Sequence, residues 1–267
     1  MKNSKYESKS PNANGRIEYS VEEQQTWKFL VARQNAVLEG RACSEFIKGV
    51  KLLNFENEIP QHFETTSILN QHTGWGVEPV PAIIPAEDFF KLLSNKKFPS
   101  ANFIRTTEDI DYLQEPDIFH EIYGHCPLLT NQNYADYMEE YGKLALTVKG
   151  KERMRLFRLF WFTIEFGLLL ENNKARIYGG GILSSYKETI YALENKAEKM
   201  NLDDPLTALR TPYRIDILQP LYFVIPSLSA LFEIVKKDIL GLAKLSLEMG
   251  DFAPKFPPKE SKEGYEY

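Results

Sequence analysis

Between Leu159 and Leu170 the chain reads LFWFTIEFGLLL, and the only charge in it is Glu165. A segment apolar on nearly every side must lie inside a folded body. A carboxylate taken in with it is costly unless something compensates its charge. The run therefore demands a core thick enough to enclose a helix, and a positive partner for Glu165. The rest of the 267 residues can build such a core, since 43% are hydrophobic and 26% charged, which excludes wholesale disorder. The length suits one large domain or two small ones.

Apolar residues recur at helical spacing from Glu22 to near Gly40, through Trp27, Leu30, Val31 and Gln34. The same reasoning predicts helices over Ala42 to Leu53, Ile118 to His125, Tyr134 to Thr147, Glu152 to Leu170, Ser185 to Glu198 and Leu228 to Met249. Pro60, Pro79, Pro81, Pro85 and Pro99 interrupt the first half, because each fixes its own backbone angle and removes a donor. Loops, short helices and a small ribbon around Trp75 to Val80 are expected there. The glycine run Gly179 to Gly181 marks Ile177 to Leu183 as turn or strand. The sum is a mainly α single domain over residues 20–253 with a small β component. A flexible polar segment, 1–19, precedes it, and a Pro- and charge-rich tail, 254–267, follows.

The net charge of -5 lacks the positive field that nucleic acid requires. Cys43 and Cys126 are too few for a disulfide scaffold and have no CxxC spacing, which suits a reducing compartment. The first residues, MKNSKYESKSPNANGR, lack the apolar core of a signal peptide. The longest charge-free stretch of the C-terminal part, Ile217 to Phe232, has 16 residues and two prolines. A spanning helix needs about 20. A cytoplasmic protein that contacts neither membrane nor nucleic acid is expected.

Two of the four histidines fall together in PDIFHEIYGHCPLL, where His120 and His125 stand five apart. The zinc-protease motif needs them four apart on one helix face. On an ideal α-helix five residues offset two side chains by about 140°. They can still meet on one ion if the helix is ending, as Gly124 and Pro127 suggest. Glu165 is the best third donor, and two histidines with one carboxylate make the facial set of mononuclear non-haem iron. The competing reading has His120 and His125 as ordinary packed or surface residues and Glu165 paired with Arg153, Arg155, Arg158 or Arg176. The residues alone leave both open.

Six ordered blocks extend the comparison: TGWGVEPVPAIIP at Thr73 to Pro85, FIRT at Phe103 to Thr106, YLQEPDIFHEIYGHCPLL at Tyr112 to Leu129, FWFTIEFG at Phe160 to Gly167, IYGGGILSS at Ile177 to Ser185 and QPLYFV at Gln219 to Val224. In order and spacing the chain resembles the pterin-dependent aromatic amino acid hydroxylases, and among them the short bacterial members that act on phenylalanine. The resemblance covers roughly residues 20–240. It implies that His120, His125 and Glu165 hold one Fe(II), and that tetrahydropterin and O2 are co-substrates in converting L-phenylalanine to L-tyrosine. It implies Arg105 for the substrate carboxylate, supported by Asp117, and Pro116, Trp161 and Phe166 as walls around the ring. Gly181 and Ser184 would lie beside substrate and iron, with the Ser184 hydroxyl orienting His120. Val80, Ala82, Ile83 and Ile84 would border the pterin, Phe89 would stack on it, and Glu121 would position it.

Two positions depart from the family pattern. Ala82 replaces a usual glycine, which would strain the loop if positive φ were needed there. Phe160 stands where many members carry tyrosine, so the ring and not a hydroxyl is expected to matter. Tyrosine or tryptophan hydroxylation is the alternative within the family; a zinc metallohydrolase and a non-catalytic scaffold are alternatives outside it. The short chain has no space for the long regulatory and coiled-coil segments of tetrameric relatives, so a monomer or small homodimer is expected.

Overall fold

The computed structural model describes residues 5–113 and 115–258. Residues 1–4 and 259–267, parts of the two expected terminal segments, lie outside this range. The chain opens with three helices: α1 (Val21–Leu38), α2 (Ser44–Leu53) and α3 (His62–Thr73). The start of α1 is written in its own sequence. Ser20 accepts the Glu23 N–H while the Glu23 carboxylate accepts the Ser20 N–H, a reciprocal cap. The predicted face, Trp27, Leu30, Val31 and Gln34, is the buried one.

The proline-rich middle holds β1 (Gly76–Pro79), α4 (Ala86–Ser94) and β2 (Lys97–Ser100), with β1 and β2 paired in parallel. The ribbon expected near Trp75 therefore exists, and its partner strand lies across α4. An irregular stretch leads to a π-helical turn over Phe119–His125. Next come α5 (Gln132–Leu146) and α6 (Gly150–Phe160), and α6 runs directly into a second π turn, Trp161–Glu165. The remainder alternates: β3 (Leu168–Glu171), β4 (Lys174–Ile177), α7 (Gly180–Leu183), α8 (Tyr186–Tyr191), β5 (Glu198–Asn201), α9 (Pro205–Arg210), β6 (Leu221–Ile225), α10 (Leu228–Lys236) and α11 (Ile239–Met249). Four of these strands form one sheet in the order β4-β3-β6-β5. The fold is mainly α with a small β component, as expected.

Three boundaries differ from the sequence reading. The Glu152 to Leu170 run is not one helix. It leaves helical geometry after Glu165, and Leu168 and Leu169 pair with Val224 and Ile225 of β6. An apolar run buried on all sides fits helix or strand equally, so periodicity cannot separate them. The hairpin that follows turns on Asn172 and Asn173, both left-handed with φ of 52° and 60°, as a tight two-residue turn requires. Second, Ser185 to Glu198 holds only the short α8, and the chain from Glu198 pairs with β6. Third, Leu228 to Met249 breaks before Asp238, whose side chain accepts the Gly241 N–H and starts α11 afresh. The stretch read as turn or strand, Ile177 to Leu183, closes β4 at Ile177 and opens a helical turn at Gly180.

The polar segment before α1 is anchored from Lys5 onward. The Tyr6 ring stacks on Phe103 at 5.2 Å, and its hydroxyl bonds Asp109. Ser8 Oγ donates to the Val80 carbonyl at 2.8 Å. The Asn102 amide pairs with the Lys9 backbone in both directions, at 2.6 and 2.8 Å. At the other end Asp251, just past α11, bonds both Arg155 and Arg158 of α6. Among the described residues no helix is long and apolar enough to cross a membrane.

Candidate metal centre and substrate cleft

The two π turns carry the three predicted metal donors. In a π turn the backbone bonds i to i+5, so each turn takes in one residue more than an α turn. The bond from the Phe166 N–H to the Trp161 carbonyl, 2.8 Å, shows this register directly. The extra residue corrects the 140° offset expected for His120 and His125. Their Nε2 atoms lie 3.4 Å apart. Glu165 Oε2 is 3.3 Å from Nε2 of His125 and 3.8 Å from Nε2 of His120. One donor atom from each of the three falls within 4.8 Å of the others.

None of the four candidate arginines takes Glu165. Arg155 and Arg158 bond Asp251, Arg176 faces Glu171, and Arg153 faces Glu87. Burial lowers His120 to about 4, so its imidazole is neutral at physiological pH. Burial alone would raise the Glu165 carboxyl, but its contacts with His125 first, then His120 and the Gly181 N–H, favour the ionised form and hold it below its ordinary value. Neutral imidazole and ionised carboxylate are the forms that bind metal.

The surroundings aim these donors. Ser184 Oγ donates to the Gly180 carbonyl at 2.9 Å and lies 2.8 Å from His120 Nδ1. With its own proton committed, the hydroxyl accepts from Nδ1–H, which leaves the Nε2 lone pair free for an ion. The His125 ring is held between Phe98, stacked at 5.0 Å, and the backbone of Gly180. A Cβ at Gly180 would sit 2.4 Å from that ring, and one at Gly181 2.9 Å from Glu165 Oε2. The close approach of α7 to the donors therefore depends on both glycines.

The centre lies in a cleft of about 490 Å³, whose lining includes His120, Glu165, Arg105, Pro116, Trp161 and Phe166. Gly181 and Ser184 also face it. Trp161 stacks on Phe166 at 4.4 Å and on Tyr213 at 4.5 Å, giving a three-ring wall. Arg105 is buried, not a surface residue, and Asp117 grips it through Nε and Nη2, both at 2.8 Å. Burial opposes both charges, yet each partner stabilises the other: Asp117 is lowered and Arg105 raised. Asp117 Oδ1 also accepts the His120 N–H at 3.0 Å. Asp117 thus both buttresses Arg105 and caps the start of the His120 turn.

The residues expected around pterin do not line this cleft. Val80 is buried beside the N-terminal segment, Ile83 is exposed, and Ala82 and Ile84 are half-buried. Phe89 packs edge-on against Phe90 and Phe160 at 5.3 and 5.5 Å. Ala82 has no positive φ, so alanine there carries no strain. Phe160 is core, against Phe89 and Tyr141. Glu121 is buried and accepts the Ala101 N–H; burial holds its carboxyl well above the ordinary range. Sequence reasoning assigned no role to Tyr213, Glu188 or Gln219. Tyr213 and Gln219 meet Trp161 across more than 50 residues of chain, and Glu188 meets Gln219 across 31, so none leaves a local signal.

A small-molecule cleft ending on two imidazoles and one carboxylate is the arrangement of the mononuclear non-haem metal enzymes. Comparison with known proteins narrows the class. A sequence model described as "Biopterin-dependent aromatic amino acid hydroxylase" matches residues 2–245. The chain belongs to that family. It is 52% identical to phenylalanine-4-hydroxylase of Pseudomonas aeruginosa over 262 residues, 98% of this chain and 100% of that one. The apo structure of the cold-active phenylalanine hydroxylase of Colwellia psychrerythraea 34H superposes with a TM-score of 0.91 at 49% identity, covering 94% of this chain and 98% of that one. The Chromobacterium violaceum phenylalanine hydroxylase with bound iron(III) and 7,8-dihydrobiopterin gives a TM-score of 0.83 at 39% identity, covering 90% and 88%.

Proposed function

We propose that this cleft hydroxylates L-phenylalanine to L-tyrosine, with O2 and tetrahydropterin as co-substrates and one Fe(II) held by His120, His125 and Glu165. The observation that carries the reading is the convergence of those three donors at an aromatic cleft that also holds a buried arginine, in a chain of this family. The donor set fits the ion: three oriented donors, no competing arginine on Glu165, and a tautomer of His120 chosen by Ser184. Bound iron and pterin supply the activation of O2.

The chain's own residues bind and orient. A guanidinium has five N–H donors; Asp117 occupies two of Arg105, and those left meet the substrate carboxylate. Locking the fork this way means little freedom is lost on binding. Pro116, Trp161 and Phe166 take the ring by stacking and apolar contact, which also displaces water from the reacting region. Ser184 and Gly181 keep the donors in line. Val80, Ala82, Ile83 and Ile84 form the pterin border, with Phe89 and Glu121 behind it. The exposure of Ile83 leaves apolar surface for a flat heterocycle to cover. The net charge of -5 argues against nucleic acid as a partner. We place the protein in the cytoplasm, as a monomer or small homodimer.

The test is reconstitution with Fe(II), then assay of phenylalanine with tetrahydropterin and O2 each present or omitted, products read by mass. Tyrosine should form only when both are present. Equal tyrosine yield without pterin would refute the reading.

A further inference from the structure

The wall of the cleft is made from two parts that no strand or helix joins. Trp161 sits on the second π turn. Beside it runs an irregular loop whose Tyr213 stacks on the indole and whose Ile215, Ile217 and Leu218 line the cleft, with Ile215 and Leu218 50% and 42% exposed. A loop so lightly packed does not hold a fixed position by burial alone. Beyond the stack of Tyr213 on Trp161, one side chain ties the two parts by hydrogen bonds. Gln219, 1% exposed, accepts the Trp161 Nε1–H at 3.2 Å with its side-chain oxygen. Its side-chain nitrogen donates to the carbonyls of Arg214 and Ile217, at 2.8 and 2.9 Å. Its backbone N–H donates to Glu188 Oε1 at 2.9 Å, and the Tyr222 hydroxyl bonds the same oxygen. Both side-chain donors of this amide are used on the loop, and its oxygen accepts from the indole.

We infer that Gln219 is a positioning residue for substrate selectivity: it locks the Trp161 indole and the 214–218 loop into one rigid wall, and so sets the width available to the aromatic ring. The inference rests on the function proposed above. Gln219 lies outside the cleft lining and acts through Trp161 and the loop. Stacking between Phe166 and Tyr213 fixes the plane of the indole but lets it slide within that plane, and the bond from Nε1 removes that freedom. The loop carbonyls, tied to the same amide, cannot then move independently of the indole. A wall of constant width discriminates between rings of different size, whereas a yielding one accepts them more equally.

Gln219→Leu keeps the volume and removes all three side-chain bonds. In the iron-loaded enzyme the KM for phenylalanine should rise about tenfold, with kcat within about threefold. The preference for phenylalanine over tryptophan in direct competition should fall by a similar factor. Bound iron and the KM for tetrahydropterin should be unchanged. Trp161→Phe removes the donor from the other side; with both changes together the loss of preference should be less than the product of the two. A purely structural role predicts a lower Tm with the phenylalanine KM and competition ratio intact, and that result would overturn the inference. If the leucine variant does not fold, Gln219→Asn, which withdraws the same amide by one methylene, is read in the same assays with the same two outcomes. Wild type lacking any pterin-dependent hydroxylation would instead remove the underlying function.

Discussion

At the scale of single residues, compensation of buried charge decides most of the centre. Asp117 is fully buried and Glu165 partly so, and they are compensated by different routes: Asp117 is bonded to a guanidinium and two backbone N–H groups, while Glu165 faces two imidazoles. A metal reading and a packing reading of Glu165 separate on one substitution. Glu165→Gln keeps the size and removes the charge that a hard cation needs. We expect Fe(II) affinity to fall by at least about tenfold, with severe loss of hydroxylation, while the apo protein melts within about 2 °C of wild type. Iron titration paired with apo melts checks this. Equal iron affinities would exclude Glu165 as a donor. Much of this scale was legible beforehand, because an isolated acid in LFWFTIEFGLLL, and two histidines beside it in type, announce a compensated site. What was not legible was which cation compensates each acid. That depends on contacts such as Arg155 to Asp251, between residues 96 apart.

At the scale of elements, the π turns explain both what the sequence revealed and what it concealed. Helices α1, α2 and α5 lie where periodicity puts them, because each has one buried face and ordinary α spacing. His120 and His125 looked ill-placed only under the assumption of 3.6 residues per turn. No residue type announces a π turn, so the spacing of the donors is itself the only local trace of it. The parallel pairing of β1 with β2 and the break after Glu165 were hidden for a different reason: both depend on partners distant in sequence. Helix α7 supplies a test at this scale. A methyl group at Gly180 would overlap the His125 ring, so Gly180→Ala should push that ring off the centre. We expect iron affinity to drop about tenfold or more. The neighbouring shift in packing should cost about 1–3 kcal/mol. Unchanged iron affinity in a variant that folds would mean that α7 yields instead of the imidazole.

At the scale of the whole molecule, the two terminal parts of the described chain each tie down a stretch that leads to the centre. Asp251 clasps α6, the helix that runs into the Glu165 turn. Its bonds to Arg158 and Arg155 lower its carboxyl to about 2. A carboxyl lowered on folding stabilises the fold above its unfolded value near 4, and that contribution fades as pH falls through about 2. Asp251 is 40% exposed, so solvent weakens the effect. Asp251→Asn should lower the Tm by about 1–3 °C at pH 7, and the gap should narrow steadily as the melts are repeated toward pH 3. A gap independent of pH would assign the loss to packing.

The segment before α1 docks elsewhere, and its partners have a consequence for synthesis on the ribosome. Tyr6, Ser8 and Lys9 dock on Asp109, Val80 and Asn102, which are 103, 72 and 93 residues further along. At about 5–20 residues per second, Tyr6 waits roughly 5–20 s before Asp109 has even been made. The polar composition that made this segment look unattached keeps it soluble during that interval. The stretch that bears Arg105 is therefore covered by residues translated about a hundred positions earlier, so this contact, unlike a local hairpin, forms only after that whole stretch has left the ribosome.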